Sequence, residues 1–175
     1  MLKIIGTIVV MAIVVVLGLA VTKPDTFSLQ RATTIHAPPE KIFGYINDFH
    51  QWSAWSPWEK VDPNMQRTYS GAPNGVGAVY AWSGNSKAGA GRMEIKNVAS
   101  PLNAQIALDF TKPFETNNVI EFMLEPKGDA TGVTWVMRGP LPFVSKVMTV
   151  FVSMDALVGK DFEAGLANLK AAAEK

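Results

Sequence analysis

The chain contains no cysteine, which excludes disulfides, thiolate metal sites and cysteine nucleophiles together. It has almost no net charge: 16 Lys and Arg stand against 15 Asp and Glu, leaving +1. Such a balance supplies no basic field for a phosphate backbone, so nucleic acid is not an expected partner. Histidine is scarce as well. His36 and His50 are the only two, and no H-E-x-x-H or comparable pair exists, whereas a metal site takes three or four ligands at fixed spacing. No metal and no other cofactor is expected. A G-x-S-x-G elbow is missing, which disfavours a serine hydrolase of that class. The glycine-rich stretches 71–77 and 84–91 match neither a P-loop nor a dinucleotide fingerprint and read as hairpin turns. There is no internal repeat and no low-complexity tract.

What the chain does have is one long apolar run. Ile4 to Val21 are 18 consecutive uncharged residues, with Thr7 the single polar side chain. As a helix the run spans about 27 Å, close to the roughly 30 Å hydrocarbon core of a bilayer. It is apolar all round, unlike a core helix with one solvent face. The expected organisation is a transmembrane anchor over residues 1–22 and one globular domain over 23–175. A cleaved secretory signal is the rival, since Gly18-Leu19-Ala20 offers the small residues a signal peptidase needs. Either way the domain is expected on the periplasmic or extracytoplasmic side of a membrane if the amino terminus and Lys3 stay inside. Lys23-Pro24-Asp25-Thr26 is a short connector that holds the domain close to the bilayer.

Beyond the connector, Phe27–His36 reads as a strand, rich in β-branched and aromatic residues. Ala37-Pro38-Pro39-Glu40 stops it and opens a short helix, because proline suits the first helical turn and a carboxylate meets the positive dipole end there. A second short helix or turn covers Phe49–Trp58. Six strand candidates follow: Met65–Gly71, Gly77–Ser83, Gly91–Val98, Ala104–Thr111, Asn117–Glu125 and Gly132–Arg138. Met93 and Ile95 alternate with Arg92, Glu94 and Lys96. Ile120, Phe122 and Leu124 alternate with Glu121 and Glu125. A period of two with one polar face means an antiparallel sheet, wet on one side and covered on the other. The cover is expected to be one helix from about Phe143 to Ala172, placing Phe151, Met154, Phe162 and Leu166 against the sheet.

This order of elements, with Ile35–Phe43 (I-H-A-P-P-E-K-I-F), Trp52–Trp58 (W-S-A-W-S-P-W), Gly75-Val76-Gly77-Ala78 with Trp82, Gly89–Met93, Val133-Thr134-Trp135 and the helical Met154-Asp155 with Gly159–Glu163, resembles the START-like, or SRPBCC, superfamily. The likeness covers about residues 26–175 and comes nearest to its polyketide cyclase/dehydrase-like branch. It implies an α+β helix-grip fold, like that of the birch-allergen-like proteins, in which an antiparallel sheet wraps a long C-terminal helix. It also implies an elongated, mostly apolar cavity and hydrophobic ligands such as lipids, sterols or polyketides. Ring-closing and hydrolase-like members share the fold, so fold alone does not choose a function.

The cavity candidates are the residues on the apolar phase of each strand, Tyr80, Trp82, Met93, Phe110, Phe122 and Trp135, together with Trp55 and Met154. Trp52, Trp55 and Trp58 are three residues apart, so a helical turn gathers them either as the wall of a hydrophobic site or as a core plug. No catalytic residue is assigned. The expected function is a membrane-anchored binding domain for a hydrophobic small molecule or lipid, with the membrane as its other partner. Two alternatives stay open. One is a polyketide cyclase-like enzyme in which His50, Asp48 or Tyr80 moves protons. The other is a protein-interaction domain with a collapsed cavity and no ligand.

Overall fold

The computed structural model describes residues 2–175. Helix α1 (Leu2–Val21) is the apolar run and is long and apolar enough to cross a bilayer. Strand β1 (Thr26–Ile35) follows after four residues, and α2 (Pro39–Asn47) starts on Pro39 with Glu40 in its first turn. Two 3-10 turns, Phe49–Ala54 and Pro57–Lys60, carry Trp52 and Trp58, and Trp55 lies between them. Then come β2 (Gln66–Gly71), β3 (Ala78–Ser83), β4 (Ala90–Ala99), β5 (Asn103–Lys112), β6 (Thr116–Lys127) and β7 (Ala130–Pro140). These lie within a few residues of the expected strands, because the turn residues that bound them need special backbone geometry or break the ladder.

The seven strands form one antiparallel sheet in the order β1-β7-β6-β5-β4-β3-β2. Six consecutive strands meander, and β1 pairs with β7 to complete the far edge. Register fixes the inward face: Arg31 lies opposite Trp135, Trp135 opposite Phe122, Ile106 opposite Ile120, and Tyr80 opposite Met93. The other face is wet, as alternation requires, and Arg92 and Lys96 both bond Glu94 there while Arg138 bonds Glu121.

The C-terminal cover departs from the expectation of one helix. It is two, α3 (Phe143–Thr149) and α4 (Met154–Ala173). Ser153 accepts the Ala156 backbone N–H at 3.1 Å and starts α4 afresh, as an N-cap serine does. The apolar spacing continues across the break, but the hydrogen bonding does not. Phe151 therefore does not face the sheet: it is 71% exposed. Met154, the first residue of α4, is half-buried, while Phe162 and Leu166 are buried as expected.

Helix α4 runs beside β1 in the same direction, held by polar clips at successive levels. Arg31, on the inward phase of β1, donates to Asp155 at 2.6 Å and Glu163 at 2.8 Å. Lys170 donates to the Thr34 carbonyl, and the His36 backbone N–H donates to Glu174. Between the clips, Phe162, Leu166 and Leu169 go into the core. Gly165 lets the helix come close, since a Cβ there would stand 2.8 Å from the Trp135 ring.

Phe162→Ala should lower the unfolding free energy by about 3–5 kcal/mol, the usual cost of emptying a buried aromatic site. Phe151→Ala should leave it nearly unchanged. Urea unfolding of the full chain in detergent, followed by tryptophan emission, separates the two; equal midpoints for both variants would contradict this packing.

Candidate ligand-binding site

The concave face is not covered uniformly. Beneath α4 it is closed by rings. Trp135 stacks on Phe162 at 4.1 Å between centroids and on Phe122 at 5.0 Å, and Trp55 meets it edge-on at 5.5 Å. These four are at most 1% exposed. The space that the resemblance implied as an elongated cavity is, at this level, filled by side chains. The tryptophan cluster belongs to the filling: Trp52 and Trp55 are buried 4.8 Å apart, and Trp58 abuts both Trp135 and Phe162. Trp52 and Trp55 donate their indole N–H groups to the Ile46 and Tyr45 carbonyls, tying the 3-10 turn to α2. Among the described residues, the Trp135 Nε1 has no acceptor.

Further along the sheet the cover thins. Trp82 stacks on Tyr80 at 6.0 Å and meets Phe110 edge-on at 5.5 Å, with its indole N–H held by the Ala88 carbonyl. Phe27, Trp82 and Phe110 are half-buried, although all three join the core. Met93 lies beside Tyr80 on β4 and is buried. Gly91 faces Trp82 across the β3–β4 ladder, where a Cβ would come within 2.6 Å of the indole. The expected cavity residues thus form two groups. Trp55, Phe122 and Trp135 make a closed stack, and Tyr80, Trp82, Met93 and Phe110 make a wall in which Tyr80 and Met93 are buried and only Trp82 and Phe110 are half-open. Phe49 and Trp52 bridge them, with Phe49 5.3 Å from Trp52 and 6.0 Å from Tyr80. Met154 belongs to neither group and sits at the start of α4.

Register places the open wall at one end of the sheet. Trp82 lies opposite Gly91, and Gly91 opposite Phe110. Phe110 lies opposite Thr116, and Thr26 opposite Pro140. That is the end at which α1 enters the sheet. The closed end, at Ile35 and Thr131, is about 30 Å away along a ten-residue strand.

A polar chain edges the wall on the β2 side. Asp48 bonds His50 Nδ1 at 2.8 Å, and the His50 ring stacks on Tyr69 at 4.2 Å. Tyr69 is 5.2 Å from Tyr80, whose hydroxyl donates to Glu59 at 2.6 Å. Arg67 holds the second Glu59 oxygen at 2.7 Å. Burial, then the Glu59 hydrogen bond and charge, push the Tyr80 phenol far above its ordinary range. Burial raises Tyr69 as well. Tyr80 is thus a fixed neutral donor, and Glu59 has both oxygens engaged. Glu59, Arg67 and Tyr69 were not foreseen. Arg67 and Tyr69 share the inward phase of β2, but only the β2–β3 register sets Tyr69 against Tyr80.

A separate cleft of about 400 Å³ is lined by Lys41, Gly44, Tyr45, Asn47, Asp48, Gln51 and Asn74. Most of its lining residues carry polar groups, and none of the eight expected cavity residues borders it.

A sheet gripping a C-terminal helix, with an aromatic inward face, defines the helix-grip class. The sequence places the chain within it: residues 26–174 match the family described as polyketide cyclase/dehydrase and lipid transport, and the chain belongs to that family. No curated protein matches it. Among solved structures it is similar to the ginseng (Panax ginseng) major latex-like protein 151, with a TM-score of 0.61, 14% identity, and coverage of 87% of this chain and 100% of that one. It is also similar to the di-domain aromatase/cyclase BexL of the BE-7585A biosynthetic pathway, with a TM-score of 0.64, 14% identity, and coverage of 90% of this chain and 53% of that one. The Aha1 dimer from Colwellia psychrerythraea shares the fold at a TM-score of 0.59 and 16% identity, covering 85% of this chain and 96% of that one. At such identities the likeness is one of fold.

Tyr80 should make stability fall in alkali. Its proton is held more tightly in the folded state, so the contribution is complete below the ordinary phenol value of 10.0 and is lost as pH rises beyond it. Tyr80→Phe should flatten the loss of unfolding free energy above that pH, measured by urea titration at a series of pH values. An unchanged alkaline slope would contradict the assignment.

Proposed function

We propose that this protein is a membrane-anchored binding domain for a hydrophobic small molecule or lipid, received at the wall formed by Tyr80, Trp82, Met93 and Phe110. The observation that carries the reading is the direction of the wall. Its half-buried rings lie at the end of the sheet where α1 enters, so a spanning α1 turns them toward the bilayer. An apolar molecule leaving the membrane there meets aromatic surface with few groups able to transfer protons. Trp55, Phe122 and Trp135, packed deeper, form the floor against which it stops. Membership of a family that includes lipid transport supports the same reading. The domain, residues 23–175, then stands on the side of the membrane opposite Lys3.

A second reading, a cyclase-like enzyme, draws on the Asp48–His50 pair and its aromatic link to Tyr80. The hydrogen bonds that occupy both Glu59 oxygens and the firmly held Tyr80 proton favour binding, because Tyr80 is a poor proton donor near neutral pH.

A fluorescent fatty acid should quench tryptophan emission saturably and be displaced by an unlabelled one. Trp82→Ala or Phe110→Ala should weaken binding about tenfold or more, since a lost ring contact of about 1.5–3 kcal/mol exceeds the 1.4 kcal/mol that a factor of ten requires. His50→Ala should bind as the parent does. Turnover of a bound compound that His50→Ala abolishes would make the protein an enzyme. Absence of saturable binding by any apolar probe would leave an interaction domain.

A further inference from the structure

Helix α3 has no place in the core. None of its residues is buried, and Phe143, Val144 and Met148 are 49–61% exposed. The link to α4 adds Phe151 at 71% and Val152 at 43%. From Leu141 to Met154 the only charged residue is Lys146. Its side chain is mostly covered and pairs with Asp25, four residues past the end of α1. A soluble surface does not ordinarily gather this much apolar area with so little charge.

The position of α3 says what covers it. Helix α3 packs against α1, where Ala20 is fully buried and Val16 is half-buried, although the other large apolar side chains between Ile4 and Val21 are exposed. The Leu141 backbone N–H donates to the Asp25 carbonyl at 2.7 Å, so the root of α3 is tied to the exit of α1. A 20-residue helix is about 30 Å long and just spans the hydrocarbon. Its last turns must then lie at the membrane boundary, and any element packed on Val16 and Ala20 lies there too. An exposed apolar face on a short helix at that depth meets acyl chains, while its backbone ends and neighbouring polar groups meet the headgroups.

We infer that α3 and the following link form a second, interfacial membrane contact, in which Phe143, Val144, Met148, Phe151 and Val152 enter the bilayer beside the exit of α1. The inference rests on the reading of α1 as a spanning anchor. Two attachment points fix the tilt of the domain as well as its distance. Because α3 follows directly from the Pro140 end of β7, this tilt presents the Trp82–Phe110 wall to the lipid. A single helix with a four-residue connector would leave the domain free to swing.

The absence of cysteine permits a clean test with the full chain in phosphatidylcholine–phosphatidylglycerol vesicles. Single variants Val10→Cys, Val144→Cys, Phe151→Cys and Asp129→Cys each carry an environment-sensitive fluorophore. Asp129 lies in the β6–β7 turn, at the end of the sheet remote from α1. Acyl chains brominated near the headgroup should quench the labels at Val144 and Phe151, with a blue shift against the soluble dye. Acyl chains brominated deep in the bilayer should quench Val10. Neither should touch Asp129. Quenching at Val10 with water-like emission at Val144 and Phe151 would overturn this contact and leave the anchor standing. Quenching at Val144 and Phe151 without Val10 would remove the spanning anchor and overturn the placement beside its exit, leaving a surface contact with lipid alone. Quenching at none of the three would overturn both. Crosslinking of two unlabelled Phe151→Cys chains through a disulfide, in place of lipid quenching at that position, would put a second copy on this face and overturn the contact with lipid.

Discussion

The stacking of Trp135 between Phe122 and Phe162 is the contact on which the rest of the structure depends. It joins β6, β7 and α4, and with Trp55 and Trp58 it draws in both 3-10 turns. Aromatic groups in stacked and edge-on arrangements combine large buried area with favourable ring electrostatics. Gly165 admits the Trp135 ring close to the helix backbone, so α4 can descend onto the sheet. The Arg31 clips then set the helix along β1. The arrangement has a consequence for binding: where helix and sheet meet most tightly there is no room for a guest, and open aromatic surface is displaced toward the Trp82 end.

The sheet therefore has two unlike ends. At one, Ile35, Thr131 and the last turn of α4 are sealed, with Thr131 donating to the Ala37 carbonyl and Glu174 capping the His36 amide. At the other, half-buried rings, the exit of α1 and the exposed α3 lie together. Antiparallel register gathers every strand's ends at the same two places, and the seat of α4 closes one of them. Lipid capture, anchoring and interfacial contact are in this reading properties of one end of one sheet.

The polar chain at the β2 edge ties this rim to both 3-10 turns, a link that its alternation alone would not supply. Glu59 joins the second 3-10 turn to β2 through Arg67 and to β3 through Tyr80, while Asp48 and His50 carry the first 3-10 turn onto Tyr69. The Asp48–His50 pair was visible as two neighbouring residues. Its extension through Tyr69 to Tyr80 was not, because it depends on which residues of β2 and β3 face each other.

The amino-acid order by itself determined the local features. Proline and glycine punctuation bounded the strands, period-two alternation separated the inward from the wet face, and an uncharged run marked α1. Each is a property of a few neighbouring residues, and backbone sterics and solvation act on it before any distant contact forms. The inward positions of Phe122, Trp135, Phe162 and Leu166 were legible for the same reason. Only the tertiary structure decided which of those residues closed over one another and which stayed half-open, because stacking depends on register across β6, β7 and α4. It also decided the break at Val150–Ser153. The apolar spacing there suits one long helix, but a serine cap and a competing place beside α1 divided it and turned Phe151 outward. Periodicity reports that a face is apolar; whether a sheet, a second helix or a bilayer covers that face is set by what the rest of the chain brings within reach.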